Sequence, residues 1–186
     1  MPLILIRHAA PQSDSTIPAS DWRLSHTGRE SCRDLAEQLK AYNLNLLVSS
    51  IEAKAVETAR LTAQHLGISS EIAFGLHEHD RANLGFIPSG ERFEQLIAGL
   101  FARPDEVVFG RESANQALSR FDGSLALLRE QYPEKALGVV SHGTVISLLV
   151  AAHNSLDGFA FWKKLEMPHI VALDDDYQLS EGQDGL

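Results

Sequence analysis

The stretch LILIRHA at 3–9 runs four large aliphatic residues straight into Arg7 and His8, and LGVVSHG at 137–143 brings His142 and Gly143 to the end of another apolar run. An unprotonated imidazole is a nucleophile toward phosphorus, and a guanidinium offers oxyanions a planar fork of donors. A lone histidine at a strand end is usually just a polar residue at an edge. Two at equivalent strand ends, one preceded by arginine, point to a shared anion site.

Further groups lie between them. SSIEAKAVETA at 49–59 carries Lys54, which reads either as a cation for the anion or as a solvated lysine on a helix surface. LHEHDR at 76–81 strings His77, Glu78, His79, Asp80 and Arg81 together. Such a run is ordinarily a charged loop facing solvent, while Glu78 has the chemistry of a general acid. Strand-like alternation would send His77 and His79 to one side and Glu78 with Asp80 to the other. His77, His79 and Asp80 also offer a zinc spacing, but spacing supplies no third ligand, and no metal is assigned. Glu112 and Ser113 suit a helix N-terminus, with Arg120 seven residues after Ser113 on nearly the same face. Cys32 falls in an amphipathic pattern and reads as a packed thiol.

The elements that would position these groups follow from periodicity. Strands are expected at Leu3–Ile6, Leu46–Val48, Ile72–Phe74, Leu137–Val140 and Ile170–Leu173. Helices are expected over Gly28–Tyr42, with Thr27 and Glu30 as a capping box, over Glu52–Leu66 ended by Gly67, and around Phe93–Phe101. Two more are expected over Ser113–Glu130 and just after His142-Gly143. Alternating strands and helices predict an α/β fold, a three-layer α/β/α sandwich with a mostly parallel central sheet. Ligands in such folds gather at the carboxyl ends of the strands, where Arg7, His8 and His142 fall.

With 186 residues and 44% hydrophobic content, a single domain over 1–186 is expected, its acidic tail at 174–186 partly frayed. The net charge of -9 argues against nucleic acid or an anionic membrane as partner. The short apolar start fits no signal segment, so a cytoplasmic location is expected. A small anion could still bind a local cluster of cations.

Taken in order, LIRHA, SSIEAKAVETA, LHE, GRES with Arg120, and VVSHG resemble the histidine phosphatase superfamily in its phosphoglycerate-mutase-like branch, and the resemblance spans Leu3–Gly143. It implies that His8 is phosphorylated, that Arg7, His142, Lys54 and Gly143 bind the phosphoryl group, and that Glu78 donates the proton. Lys54 stands where the family usually has arginine, a change that keeps the charge and loses the fork, and Arg81 could substitute. Ala9 stands where many relatives have glycine. Ser13 and Asp14, in the loop after His8, could contact substrate. The implied activity is metal-independent hydrolysis of a small phosphorylated metabolite without a cofactor. A phosphoglycerate-type mutase and a non-catalytic phospho-ligand module remain as alternatives, and oligomeric state is left open.

Overall fold

The computed structural model describes residues 3–180. Leu3–Arg7 forms β1, Leu46–Ser49 β2, Ser69–Ile72 β3, Leu137–Ser141 β4 and His169–Leu173 β5, in the sheet order β3-β2-β4-β1-β5. All neighbours pair in parallel except β5, which runs antiparallel to β1. The helices are α1 (His26–Leu39), α2 (Ala53–Leu66), α3 (Glu91–Ala102), α4 (Ala114–Gln131), α5 (Gly143–His153) and α6 (Gly158–Lys164).

Strand alternation sorts the apolar side chains into two cores. Leu3 and Leu5 of β1 face one way, into a cluster with Ile97, Phe121, Val145 and Leu149 from α3, α4 and α5. Ile4 and Ile6 face the other way, against Leu35, Leu39, Ala55 and Ala59 from α1 and α2. Both faces of the sheet are therefore covered, which is why β1 and β4 read as continuous apolar runs rather than alternating ones. Burial of a side chain such as Leu5 or Ile6 contributes about 1.5–3 kcal/mol. The expected three-layer sandwich is what forms.

Register aligns the chemistry. Arg7 lies opposite Ser141 across β1 and β4, and Ser49 opposite Val140 across β2 and β4. The residues that follow, His8, His142 and Ser50, thus leave the sheet side by side at its carboxyl edge.

Some boundaries differ from the sequence reading. The third strand is Ser69–Ile72, not Ile72–Phe74. It is a fully exposed edge strand, so polar residues suffice for its one pairing, and Phe74 lies 83% exposed beyond it. The cap of α1 is Ser25, whose Oγ accepts the Gly28 N–H, rather than Thr27. Ser25 Oγ also donates to the Ala10 carbonyl at 3.0 Å, tying the start of α1 to the loop after β1. A Cβ on Gly28 would sit 2.1 Å from that carbonyl, so only glycine lets the helix approach so closely. The 7-residue α6, capped by Asp157, has no counterpart in the periodicity reading. Asp174–Ser180, the first part of the acidic tail, folds back as a turn, with the Ser180 N–H donating to the Ala172 carbonyl at 2.9 Å. The rest of the expected tail, 181–186, lies outside the described residues. Among the described residues no helix is long and apolar enough to cross a membrane.

Candidate active site

β1 delivers Arg7 and His8 to the sheet edge, and the His8 backbone N–H continues the ladder to the Ser141 carbonyl at 3.0 Å. The His8 ring is buried, with Nδ1 2.8 Å from the carbonyl of Ala9. A carbonyl can only accept, so Nδ1 carries the proton and Nε2 is left with its lone pair. Burial first, then the neighbouring His142 and Lys54, pushes this imidazole well below its usual range, which keeps it neutral. Ala9 fits after His8: its methyl is buried with Leu24 and Cys32, and its N–H donates to Thr58 Oγ1 at 3.0 Å. Cys32 is buried, and its thiol is pushed up to about 11 by burial.

The second histidine arrives through β4. The His142 ring stands 5.0 Å from that of His8, edge to face at 61°. Its Nε2 lies 2.9 Å from Ser50 Oγ and 3.6 Å from Glu52 Oε1, while Nδ1 is buried with no protein partner. Burial and the Lys54 charge hold its pKa well below the usual value against the pull of Glu78.

Arg7 donates through NH1 to the carbonyl of Leu165, just past α6, and its buried Nε has no protein partner. Gly143 opens α5 beneath it, where a Cβ would sit 3.1 Å from the guanidinium carbon. The missing side chain lets Arg7 lie against the first turn of the helix.

Lys54 is buried rather than solvated. Its Nζ donates to the Ala19 carbonyl at 2.8 Å and pairs with Glu52, the residue that caps α2 by position. Glu52 is a site residue the sequence reading did not single out. Burial raises its carboxyl, but Lys54 and the Glu78 N–H outweigh that and hold it low.

The HEHDR run is not a strand, and its side chains do not alternate. His79 turns into the protein, its ring 4.6 Å from that of Phe109 and its Nε2 2.8 Å from the Glu112 carbonyl. Asp80 spends Oδ1 on the Ala82 N–H of its own loop. Glu78 instead points toward α5, with Oε2 accepting the Thr144 N–H at 3.1 Å and Oε1 accepting the His79 N–H at 2.9 Å. Burial pushes this carboxyl up, but Arg81, His142 and the His79 N–H bring it down to about 2. His77 is half-buried, its Nδ1 lacks a protein partner, and it senses Glu52 and Arg120. Arg81 lies with its guanidinium 4.8 Å from the Phe93 ring centroid and its NH1 buried and unpartnered. Among the described residues no set of three His, Cys, Asp or Glu is placed to hold a metal ion.

The loop is held from behind. Arg120 NH1 donates to the carbonyls of Gly75 and His77 at 2.7 and 2.9 Å, and NH2 donates to that of Glu78 at 3.2 Å. Glu112 pairs with Arg120 NH2 at 2.5 Å and accepts the Asp80 N–H at 2.8 Å, while Ser113 caps α4 with a complete capping box. Ser13 and Asp14 sit on the exposed loop after β1, where the Asp14 carboxylate accepts the N–H and hydroxyl of Thr16 at 2.8 and 2.6 Å.

The family model of the histidine phosphatase superfamily (branch 1) matches residues 3–173. Among curated proteins, an uncharacterized phosphatase, PhoE of Bacillus subtilis (strain 168), is 25% identical over 131 residues, 70% of this chain and 64% of that protein. The match thus spans less than two thirds of that relative's length. Bacillus stearothermophilus YhfR superposes with a TM-score of 0.74 at 18% identity, over 99% of this chain and 96% of that one. A mycobacterial glucosyl-3-phosphoglycerate phosphatase, solved with VO3, gives 0.71 at 20% identity over 96% and 94%. These likenesses carry the same fold, and together with the family match over nearly the whole chain they place this protein in the histidine phosphatase superfamily, branch 1.

Proposed function

We propose that the chain is a phosphatase that hydrolyses a small phosphomonoester through a phosphohistidine on His8, with Glu78 as proton donor and without a metal. The single observation that carries this reading is the His8 tautomer: the Ala9 carbonyl takes the Nδ1 proton and leaves Nε2 free beside His142. A nucleophile with its lone pair prepared needs no separate base.

Around it, Arg7 Nε and Arg81 NH1 are buried donors without protein partners, and His142 Nδ1, also buried and unpartnered, is a third donor in the tautomer whose Nε2 accepts from the Ser50 hydroxyl, the arrangement an oxyanion with several lone pairs would satisfy. Lys54 contributes charge rather than a fork, since Glu52 and Ala19 already engage it. The head of α5 at Gly143 adds its positive end to the same place. Ser13 and Asp14, on the exposed rim, are the contacts for the rest of the substrate.

In the first step Nε2 of His8 bonds to phosphorus as the ester P–O bond breaks, and the leaving oxygen takes its proton from Glu78. In the second, the Glu78 carboxylate accepts a proton from water, the hydroxide bonds to phosphorus, and the N–P bond breaks to return His8 and inorganic phosphate. Arg7, Arg81 and His142 stabilise the equatorial oxygens in both steps, where such positioning accounts for most of the rate.

The test is a panel of phosphorylated metabolites and aryl phosphates, scored for free phosphate and for acid-labile, base-stable protein phosphorylation. Phosphate release with labelling of His8 is the expected result. An isomerised product without phosphate release would make the chain a mutase, and binding without either would make it a phospho-ligand module.

A further inference from the structure

Glu52 acts in neither step, yet its carboxylate is turned into the site. It stands at the N-cap of α2 but makes no capping bond to its own helix. Instead Oε1 accepts the Glu78 N–H at 2.8 Å and lies 3.6 Å from His142 Nε2, while Oε2 pairs with Lys54. The Ser50 hydroxyl joins the same knot, accepting the Glu52 N–H at 3.2 Å and meeting His142 Nε2 at 2.9 Å. A buried negative group in an anion site opposes the binding it surrounds unless it has a separate purpose.

The charged and titratable groups around Glu52 come from every neighbouring element: Arg7 at the end of β1 and His8 just after it, Lys54 from α2, His77, Glu78 and Arg81 from the loop after β3, and His142 before α5. Asp80 is partly exposed and turned onto its own loop, where solvent screens its charge, and Glu112 with Arg120 behind it is balanced. His8 and His142 are buried and neutral. The fixed charges are then Arg7, Lys54 and Arg81 against Glu52 and Glu78, leaving one net positive charge to meet a phosphate dianion.

We propose that Glu52 is a positioning residue that cancels Lys54 and leaves the site one cation short of a phosphate dianion, so that the anion is captured together with a proton that lodges on Glu78. The anion draws on Arg81, the cation that does most to keep Glu78 ionised, and on Arg7, which also interacts with that carboxylate, so the carboxyl becomes the place where the proton is retained. This inference rests on the phosphatase reading above, in which that proton is the one the leaving oxygen receives. Charging of the general acid is then tied to arrival of the substrate rather than to the pH of the medium.

The experiment is calorimetric titration of inorganic phosphate into the full chain at about pH 8.5, where phosphate is a dianion, in two buffers of different ionisation enthalpy. The wild type should take up about one proton per phosphate. Glu52→Gln keeps an acceptor oxygen for the Glu78 N–H but frees the Lys54 charge, so it should bind phosphate about 10-fold more tightly with proton uptake falling toward zero. Lys54→Met should bind more weakly with undiminished uptake, and the double variant, which removes one charge of each sign, should return to the wild-type uptake. Unchanged uptake in Glu52→Gln, or a double variant that fails to return, overturns the inference. Hydrolysis of an aryl phosphate, followed in parallel, separates the two readings. Turnover with uptake independent of Glu52 removes this inference alone, Glu52-dependent uptake without turnover removes the phosphatase reading alone, and a chain that binds no phosphate removes both.

Discussion

Glu78 Oε2 accepts the backbone N–H of Thr144 at 3.1 Å, so a carboxylate from the loop after β3 sits at the positive end of α5. That position explains two properties at once. Arg81 and the His79 N–H hold the group ionised in the free protein, and its place beside His142, whose ring stands 5.0 Å from that of His8, puts it where it would protonate the oxygen leaving the phosphorus that His8 would attack. Glu78→Gln keeps the shape and removes the transferable proton. It should slow turnover of alkyl phosphates by about 100-fold to 10,000-fold and of aryl phosphates with good leaving groups much less. Equal loss on both, measured as kcat across a leaving-group series, would show that Glu78 only positions the site.

His8→Ala removes the proposed nucleophile but leaves Arg7, Arg81 and His142. Hydrolysis and protein phosphorylation should both vanish, while inorganic phosphate still protects the variant against thermal unfolding, since ligands that bind only the folded state raise its stability. Wild-type hydrolysis in this variant would assign the nucleophile elsewhere.

Arg81 is the candidate for the fork that Lys54 lacks. Its guanidinium lies 4.8 Å from the Phe93 ring centroid, so the planar group is oriented as well as charged. Arg81→Lys keeps the charge and gives up both the stacking and the second donor. Inhibition by phosphate should weaken by about 10-fold in that variant, a loss typical of one charge-assisted hydrogen bond, with KM rising more than kcat falls. An unchanged inhibition constant would leave phosphate to Arg7 and His142 alone.

The parts of the site that were legible in the sequence share a physical cause. Arg7, His8 and His142 each end an apolar run, and buried parallel strands deliver whatever follows them to one edge. Glu78 and Lys54 were legible through resemblance, because a motif fixes their spacing even where local chemistry is ambiguous. Glu52 was not, since an acidic residue at a helix start is the ordinary choice for the exposed N–H groups there, and only the fold turns it inward. Leu165 was equally hidden, because it serves Arg7 through a backbone carbonyl that any residue would supply. The third strand was misplaced for the opposite reason: on an exposed edge the apolar pattern carries no information about pairing.

Buried neutral histidines set a pH window for stability. His8 and His142 are held well below 6.5 in the folded chain, so as pH falls through 6.5 the unfolded state gains protons that the folded state refuses. Stability from this source is present above that pH and is lost progressively below it. Glu78 adds a second loss between 4.5, its unfolded value, and about 2. The melting temperature should therefore drop between about pH 7 and 5, before ordinary carboxylates titrate. In a His8→Asn, His142→Asn double variant that first decline should flatten in large part, the remainder belonging to His77 and His169, which burial also lowers. A wild-type melting temperature constant over this range would mean that the pair is not neutral when folded.

Arg120 holds Glu78 in place without joining the proposed phosphate site, because its guanidinium bridges the carbonyls of Gly75, His77 and Glu78 to the Glu112 carboxylate. Removing it strands three carbonyls and a carboxylate that is largely enclosed, and each buried group left unpaired costs about 1–3 kcal/mol. Arg120→Ala should therefore lower the melting temperature. It should also slow turnover of alkyl phosphates by about 100-fold through displacement of Glu78. Lysine cannot span the same four acceptors, so Arg120→Lys should restore little of either. Phosphorylation of His8 by an aryl phosphate with a good leaving group should survive in both variants, since that step depends least on the proton donor. Loss of this labelling together with alkyl phosphate turnover would mean that Arg120 supports the whole site rather than the Glu78 loop.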